Sequence, residues 1–140
     1  DIRTLDAIFS DAFRKIARNN QELHRQHIDQ LASQVVRQIE QSYADSDLSP
    51  TRIADSLGMS SAYLGRIFRE SMQTSISQYL NQTRIRRAEE LLRETEQPVE
   101  TVAGLVGFSN PKYFYVVFKN ITGQTPLQFR KAVHSASKKN

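Results

Sequence analysis

Two stretches of this 140-residue chain collect side chains suited to touching a polyanion that carries hydrogen-bonding edges. The first holds Ser61, Ala62, Gly65, Arg66 and Arg69, and the second holds Pro111, Lys112, Tyr115, Val116 and Lys119. These positions remain outward when Leu64, Ile67 and Phe68, or Phe114, Val117 and Phe118, turn inward at helical spacing. The Arg66 guanidinium can donate two bonds at once, to O6 and N7 of a guanine. Its competing use is an ion pair with Glu70, one turn further on. Gly65 leaves room for a helix to seat deeply, at a cost of about 1 kcal/mol in helix propensity. Lys112 reaches a base acceptor or a phosphate, whereas Val116 offers only apolar contact, for instance to a thymine methyl. Tyr63 and Tyr113 read first as packing residues with a hydroxyl near the backbone, and second as phosphate contacts.

Such side chains work only if helices hold them. Nearly every segment has helical period, and none shows sustained strand alternation. The fold class is therefore all-α. Ser49-Pro50, Asn110-Pro111 and Thr125-Pro126 each place a capping side chain before a proline at the first helical position, where the missing N–H would have had no partner anyway. Ser60 and Ser75 cap two more helices. Gly58, Gly107 and Gly123 fall where a helix stops or the chain turns. The reading is eight helices, at about 2–26, 28–44, 50–57, 61–72, 76–94, 98–106, 111–121 and 126–136, with a turn over Ala44 to Leu48.

The chain repeats itself. Ile53-Ala54 and Leu57-Gly58-Met59-Ser60 match Val102-Ala103 and Val106-Gly107-Phe108-Ser109 at an offset of 49. One extra residue moves the offset to 50, after which Tyr63-Leu64, Phe68-Arg69 and Gln78-Tyr79 match Tyr113-Phe114, Phe118-Lys119 and Gln128-Phe129. Each copy is a short helix, a glycine turn and a second helix, the plan of a helix-turn-helix unit whose second helix enters the DNA major groove. Ala54 and Ala103 are small where two helices would cross closely. The two units lie at about 50–72 and 98–121, joined by a long central helix at about 76–94. Charge follows the same division. Residues 1–48 hold 6 Lys/Arg against 8 Asp/Glu, and residues 49–140 hold 13 against 7. A basic half of net +6 suits a nucleic acid. The rival reading is a helical module that binds protein.

Residues 49–131 resemble the AraC/XylS family of bacterial transcription regulators. In the first copy the likeness is carried by Ala54, Leu57-Gly58, Ser60, Tyr63-Leu64, Arg66, Phe68, Tyr79-Leu80, Arg84, Ala88 and Leu91-Leu92. In the second it is carried by Val102-Ala103, Val106-Gly107-Phe108, Tyr113-Phe114, Phe118-Lys119, Gly123, Thr125-Pro126 and Phe129-Arg130. The resemblance covers about 100 residues with the helix at 28–44 included, and it does not reach residues 1–27. It implies sequence-specific reading of double-stranded DNA at a bipartite promoter site, contact with RNA polymerase, and a structural place for Arg84 in the core. Two residues depart from the family pattern. Gln73 stands where glycine is frequent, and Val116 stands where many members carry arginine. Arg86 and Arg87, on the central helix, either lie near phosphates or solvate the surface.

No glycine-rich phosphate loop and no serine–histidine–carboxylate grouping stands out, so the chain reads as a non-enzyme without a cofactor. His24 and His27 sit one turn apart but lack a third metal ligand, and His134 stands alone near a basic tail. Cysteine is absent, no apolar run could span a membrane, and no signal peptide is evident; these point to a cytoplasmic protein with no membrane contact from this segment. The first residue is Asp1 rather than Met, as expected of a piece of a longer regulator. Residues 28–140 form the expected DNA-binding domain. Residues 1–27 form either a connector helix, packed on another domain or on 28–44, or a homodimer coiled coil through 2–23, along Ile2, Leu5, Phe9, Ala12, Ile16 and Leu23 with Asn19 in the seam.

Overall fold

The computed structural model describes residues 2–138, so Asp1, Lys139 and Asn140 of the domain ranges above fall outside the described residues. Among the described residues there are seven helices and no strand: α1 Ile2–Ser42, α2 Pro50–Ser56, α3 Ser61–Met72, α4 Ile76–Glu94, α5 Val99–Leu105, α6 Pro111–Thr122 and α7 Pro126–Lys138. The expected helices at 2–26 and 28–44 are one helix of 41 residues, about 60 Å long at 1.5 Å per residue. The reason is in the residues: no glycine or proline occurs before Pro50, so nothing ends the helix where its apolar face rotates. This also removes packing of 2–27 on 28–44 as an alternative.

The other helices start and stop as their caps dictate. Ser49, Ser60 and Ser75 accept from the backbone N–H of Arg52, Tyr63 and Gln78 respectively. The Asn110 side chain accepts from the Lys112 N–H. At α7 a reciprocal capping box forms: the Gln128 N–H donates to Thr125 Oγ1 at 3.2 Å, and the Thr125 N–H donates to Gln128 Oε1 at 3.0 Å.

Among the described residues there are two main hydrophobic cores, one per helix-turn-helix unit, and a smaller cluster in which Ile28 and Leu31 of α1 meet Ile67 of α3. The first unites Ala32, Val35 and Ile39 of α1 with Ile53, Ala54, Leu64 and Phe68, closed by Ile76 and Leu80 of α4. The second unites Ile85, Ala88 and Leu92 of α4 with Val102, Ala103, Val106, Phe108, Phe114, Phe118 and Phe129, among others. The linker α4 thus belongs to both. At 100° per residue its two buried sets face roughly 130° apart, so the two units are mounted on different sides of one helix.

Candidate nucleic-acid interface

The repeat seen in the sequence is a repeat of hydrogen bonds. In the first turn the N–H of Met59 donates to Ala54 O at 3.0 Å, and in the second the N–H of Phe108 donates to Ala103 O at 2.9 Å. At the far ends of α3 and α6 the N–H of Gln73 donates to Arg69 O at 2.9 Å and that of Gly123 to Lys119 O at 2.8 Å. Gln73 takes the left-handed conformation at φ 60°, as Gly123 does at φ 81°. The glutamine in the glycine position therefore leaves the helix end built in the same way, with Gln73 Nε2 also donating to Glu70 O at 3.1 Å.

Residues 61–70 and 111–120 have the same order of buried, half-buried and exposed positions. Leu64, Ile67 and Phe68, and at offset 50 Phe114, Val117 and Phe118, are buried. Ser61, Ala62, Arg66 and Arg69 face outward on α3, as do Pro111, Lys112, Val116 and Lys119 on α6. Gly65 is half-buried, and so is its counterpart Tyr115, which packs on the second core. Tyr115 is therefore less available than the sequence suggests: it fills the core edge that Gly65 leaves open.

On α3 the exposed residues border an open groove shared with Pro50 and with Ser75, Ile76 and Ser77 at the start of α4. Nothing in the sequence marks Pro50, Ser75, Ile76 and Ser77 as neighbours of α3, because caps and prolines announce helix starts but not which starts share a groove. The Arg66 guanidinium lies over the Tyr63 ring, 5.5 Å from its centroid. No ion pair joins Arg66 to Glu70 among the described residues. Tyr63 is thus a half-exposed platform for Arg66. Tyr113 is also half exposed, and its hydroxyl accepts from Asn81 Nδ2 of the linker at 3.1 Å rather than meeting backbone.

The linker arginines divide by role. Arg84 is buried; its Nε donates to Tyr43 O at 2.8 Å and its Nη2 to Asp45 O at 2.9 Å, and its guanidinium lies 5.5 Å from the Phe108 ring centroid. Burial lowers its pKa from the ordinary guanidinium value, against the opposing influence of Tyr113 and Asp45. Arg86 pairs with Glu40 of α1 at 3.7 Å. Arg87 pairs with Glu90 at 2.6 Å, and this hydrogen bond raises its pKa. Arg130 of α7 repeats the Arg84 device at the C-terminal end of α4, donating to Leu92 O at 3.1 Å and Thr95 O at 3.2 Å.

Among the described residues no group of three or more His, Asp or Glu is placed to hold a metal, and no helix is long and apolar enough to cross a membrane. His24 instead lines a cleft with Arg25, Asp29, Glu70 and Ser71.

Comparison with known proteins places the fold. The family described as a helix-turn-helix domain matches residues 53–132. The arabinose operon regulatory protein of Escherichia coli (strain K12) is 32% identical over 117 residues, covering 84% of this chain and 40% of that protein. The chain belongs to the AraC family of helix-turn-helix regulators. The Msm operon regulatory protein of Streptococcus mutans is 36% identical to this AraC-family domain over 100 residues, covering 71% of the chain and 36% of the relative. The chain therefore spans little more than a third of the length of these relatives. Among solved structures, the C-terminal domain of AraT, a response regulator from Geobacillus stearothermophilus, matches with a TM-score of 0.71 at 30% identity, covering 73% of this chain and 84% of that one. The DNA-binding domain of AdpA, solved with a target DNA, matches with a TM-score of 0.70 at 26% identity, covering 80% and 99%.

Proposed function

We propose that this AraC-family domain is the DNA-reading output of a larger signal-responsive regulator, acting on transcription in the cytoplasm through contact with RNA polymerase. One chain reads a bipartite, non-palindromic site with α3 and α6 in successive major grooves. The observation that carries the reading is the pair of recognition helices with one burial pattern and different outward side chains. Arg66 on α3 and Val116 on α6 occupy equivalent positions. A guanidinium selects guanine by two hydrogen bonds, whereas an isopropyl group selects a thymine methyl. Lys112, Arg69 and Lys119 supply phosphate contacts that set register. The 19-residue linker is roughly 28 Å long, and with the width of each unit it matches the groove repeat of about 34 Å.

The test is a titration of labelled duplex, carrying a site selected from a random pool, against unlabelled bulk DNA. A reader of sequence keeps its site in excess competitor. About 6 phosphate contacts give a log–log salt slope near −5. Binding without discrimination or salt dependence assigns the chain instead to protein interaction.

A further inference from the structure

The first half of α1 is an unpartnered apolar surface. Ile2, Leu5, Ile8, Phe9, Phe13, Ile16 and Leu23 are all more than half exposed, Phe9 and Phe13 by 70% and 72%. Contact with the chain's own core begins only at Ile28. At 100° per residue the stripe through 2, 5, 9, 12, 16 and 23 faces about 120° away from the face of Ile28, Leu31, Ala32, Val35 and Ile39. The domain that α1 enters therefore cannot fold back over it.

We propose that residues 2–23 pair with the same segment of a second copy of this chain as a parallel, in-register coiled coil. The stripe advances by alternating steps of three and four, so Ile2, Phe9, Ile16 and Leu23 take one seam position and Leu5, Ala12 and Asn19 the other. Asn19 identifies the occupant. An amide in an apolar seam needs a partner, and a parallel identical helix presents a second Asn19 at that level. An apolar partner, or an antiparallel copy, leaves the amide unpaired. The flanks agree, because a parallel pair sets each residue before the seam against one five places later on the other helix. Ile8 then meets Phe13, extending the apolar contact, and Glu22 meets His27. The next seam positions, Gln26 and Gln30, are polar and exposed, so the pair opens where each domain's own core begins.

The chain contains no cysteine, which makes the geometry testable with a single one. Sedimentation equilibrium of the full chain is expected to give twice the 16.1 kDa of one copy. Leu5→Cys is expected to form a disulfide-linked dimer under mild oxidation, because position 5 lies near itself only in the parallel register. Ile16→Asp is expected to return the mass to one copy and leave the domain's thermal transition unchanged, since Ile16 touches nothing in its own core. A single-copy mass up to high micromolar concentration overturns the proposal. A dimer that Leu5→Cys fails to cross-link, or that survives Ile16→Asp, overturns it equally.

Discussion

The Nε of Arg84 donates to the carbonyl oxygen of Tyr43 at 2.8 Å, across 41 residues of sequence. That bond joins the end of α1 to the linker, and the ring of Phe108, its centroid 5.5 Å from the guanidinium carbon, brings in the second unit. Gly107 makes the joint possible. Its φ is +106°, and a Cβ there would fall on the Tyr43 carbonyl oxygen and within 2.8 Å of Arg84 Nε. Gly107→Ala is therefore expected to destabilise the domain by about 2–4 kcal/mol, from backbone strain and the displaced Arg84 bond together. Gly58→Ala, with open space around its Cβ, carries the backbone strain alone and is expected to cost less. Urea unfolding of the two variants checks the order; equal losses would mean that the joint contributes nothing.

Gln73 carries the opposite prediction. Its φ of 60° is a left-handed conformation that glycine adopts without penalty. Gln73→Gly is expected to stabilise by about 0.5–1 kcal/mol, the relief of strain exceeding the loss of one exposed bond to Glu70 O. The midpoint of chemical denaturation should rise with an unchanged slope. A fall would show that the side-chain bond outweighs the strain.

Much of this architecture is legible in the sequence, and the exceptions share a physical origin. Caps at Ser49, Ser60, Ser75, Asn110 and Thr125 act locally, so their residue types announce them. The change of apolar face near His27 reads as a helix boundary, yet a helix can turn a new face to a new neighbour without ending. The Arg84 bonds go to carbonyl groups, which every residue carries, so no side-chain type marks Tyr43 or Asp45 as partners. Tyr115 shares its register with Gly65, but core exposure there depends on how far the neighbouring helices reach.

Arg66 and Val116 occupy equivalent places and should respond to different chemical edits. Arg66→Ala is expected to weaken specific binding by about 1–3 kcal/mol and to relax preference at one base pair, with folding stability changed by no more than the exposed contact to the Tyr63 ring, about 0.5–1 kcal/mol. At the second half-site the matching edit is on the DNA. If Val116 reads a thymine methyl as proposed, replacing that thymine by deoxyuridine removes one methyl and should cost about 0.8 kcal/mol, roughly fourfold in affinity. The same replacement should have little effect on Val116→Ala, which no longer reaches the methyl. Full single-base discrimination by Arg66→Ala, or an equal deoxyuridine effect in both proteins, would remove these residues from the reading face.

The most direct test is to insert about 5 bp between the two half-sites of the selected duplex, half a turn of B-DNA, and measure affinity. The insertion moves one half-site to the opposite face, and a single helix shared by two cores cannot follow it. Affinity is expected to fall to that of one half-site alone, and to recover partly when the insertion is extended to a full turn in a chain whose linker is lengthened to match. Unchanged affinity after the half-turn insertion would contradict the bipartite reading and leave only one recognition helix in the groove.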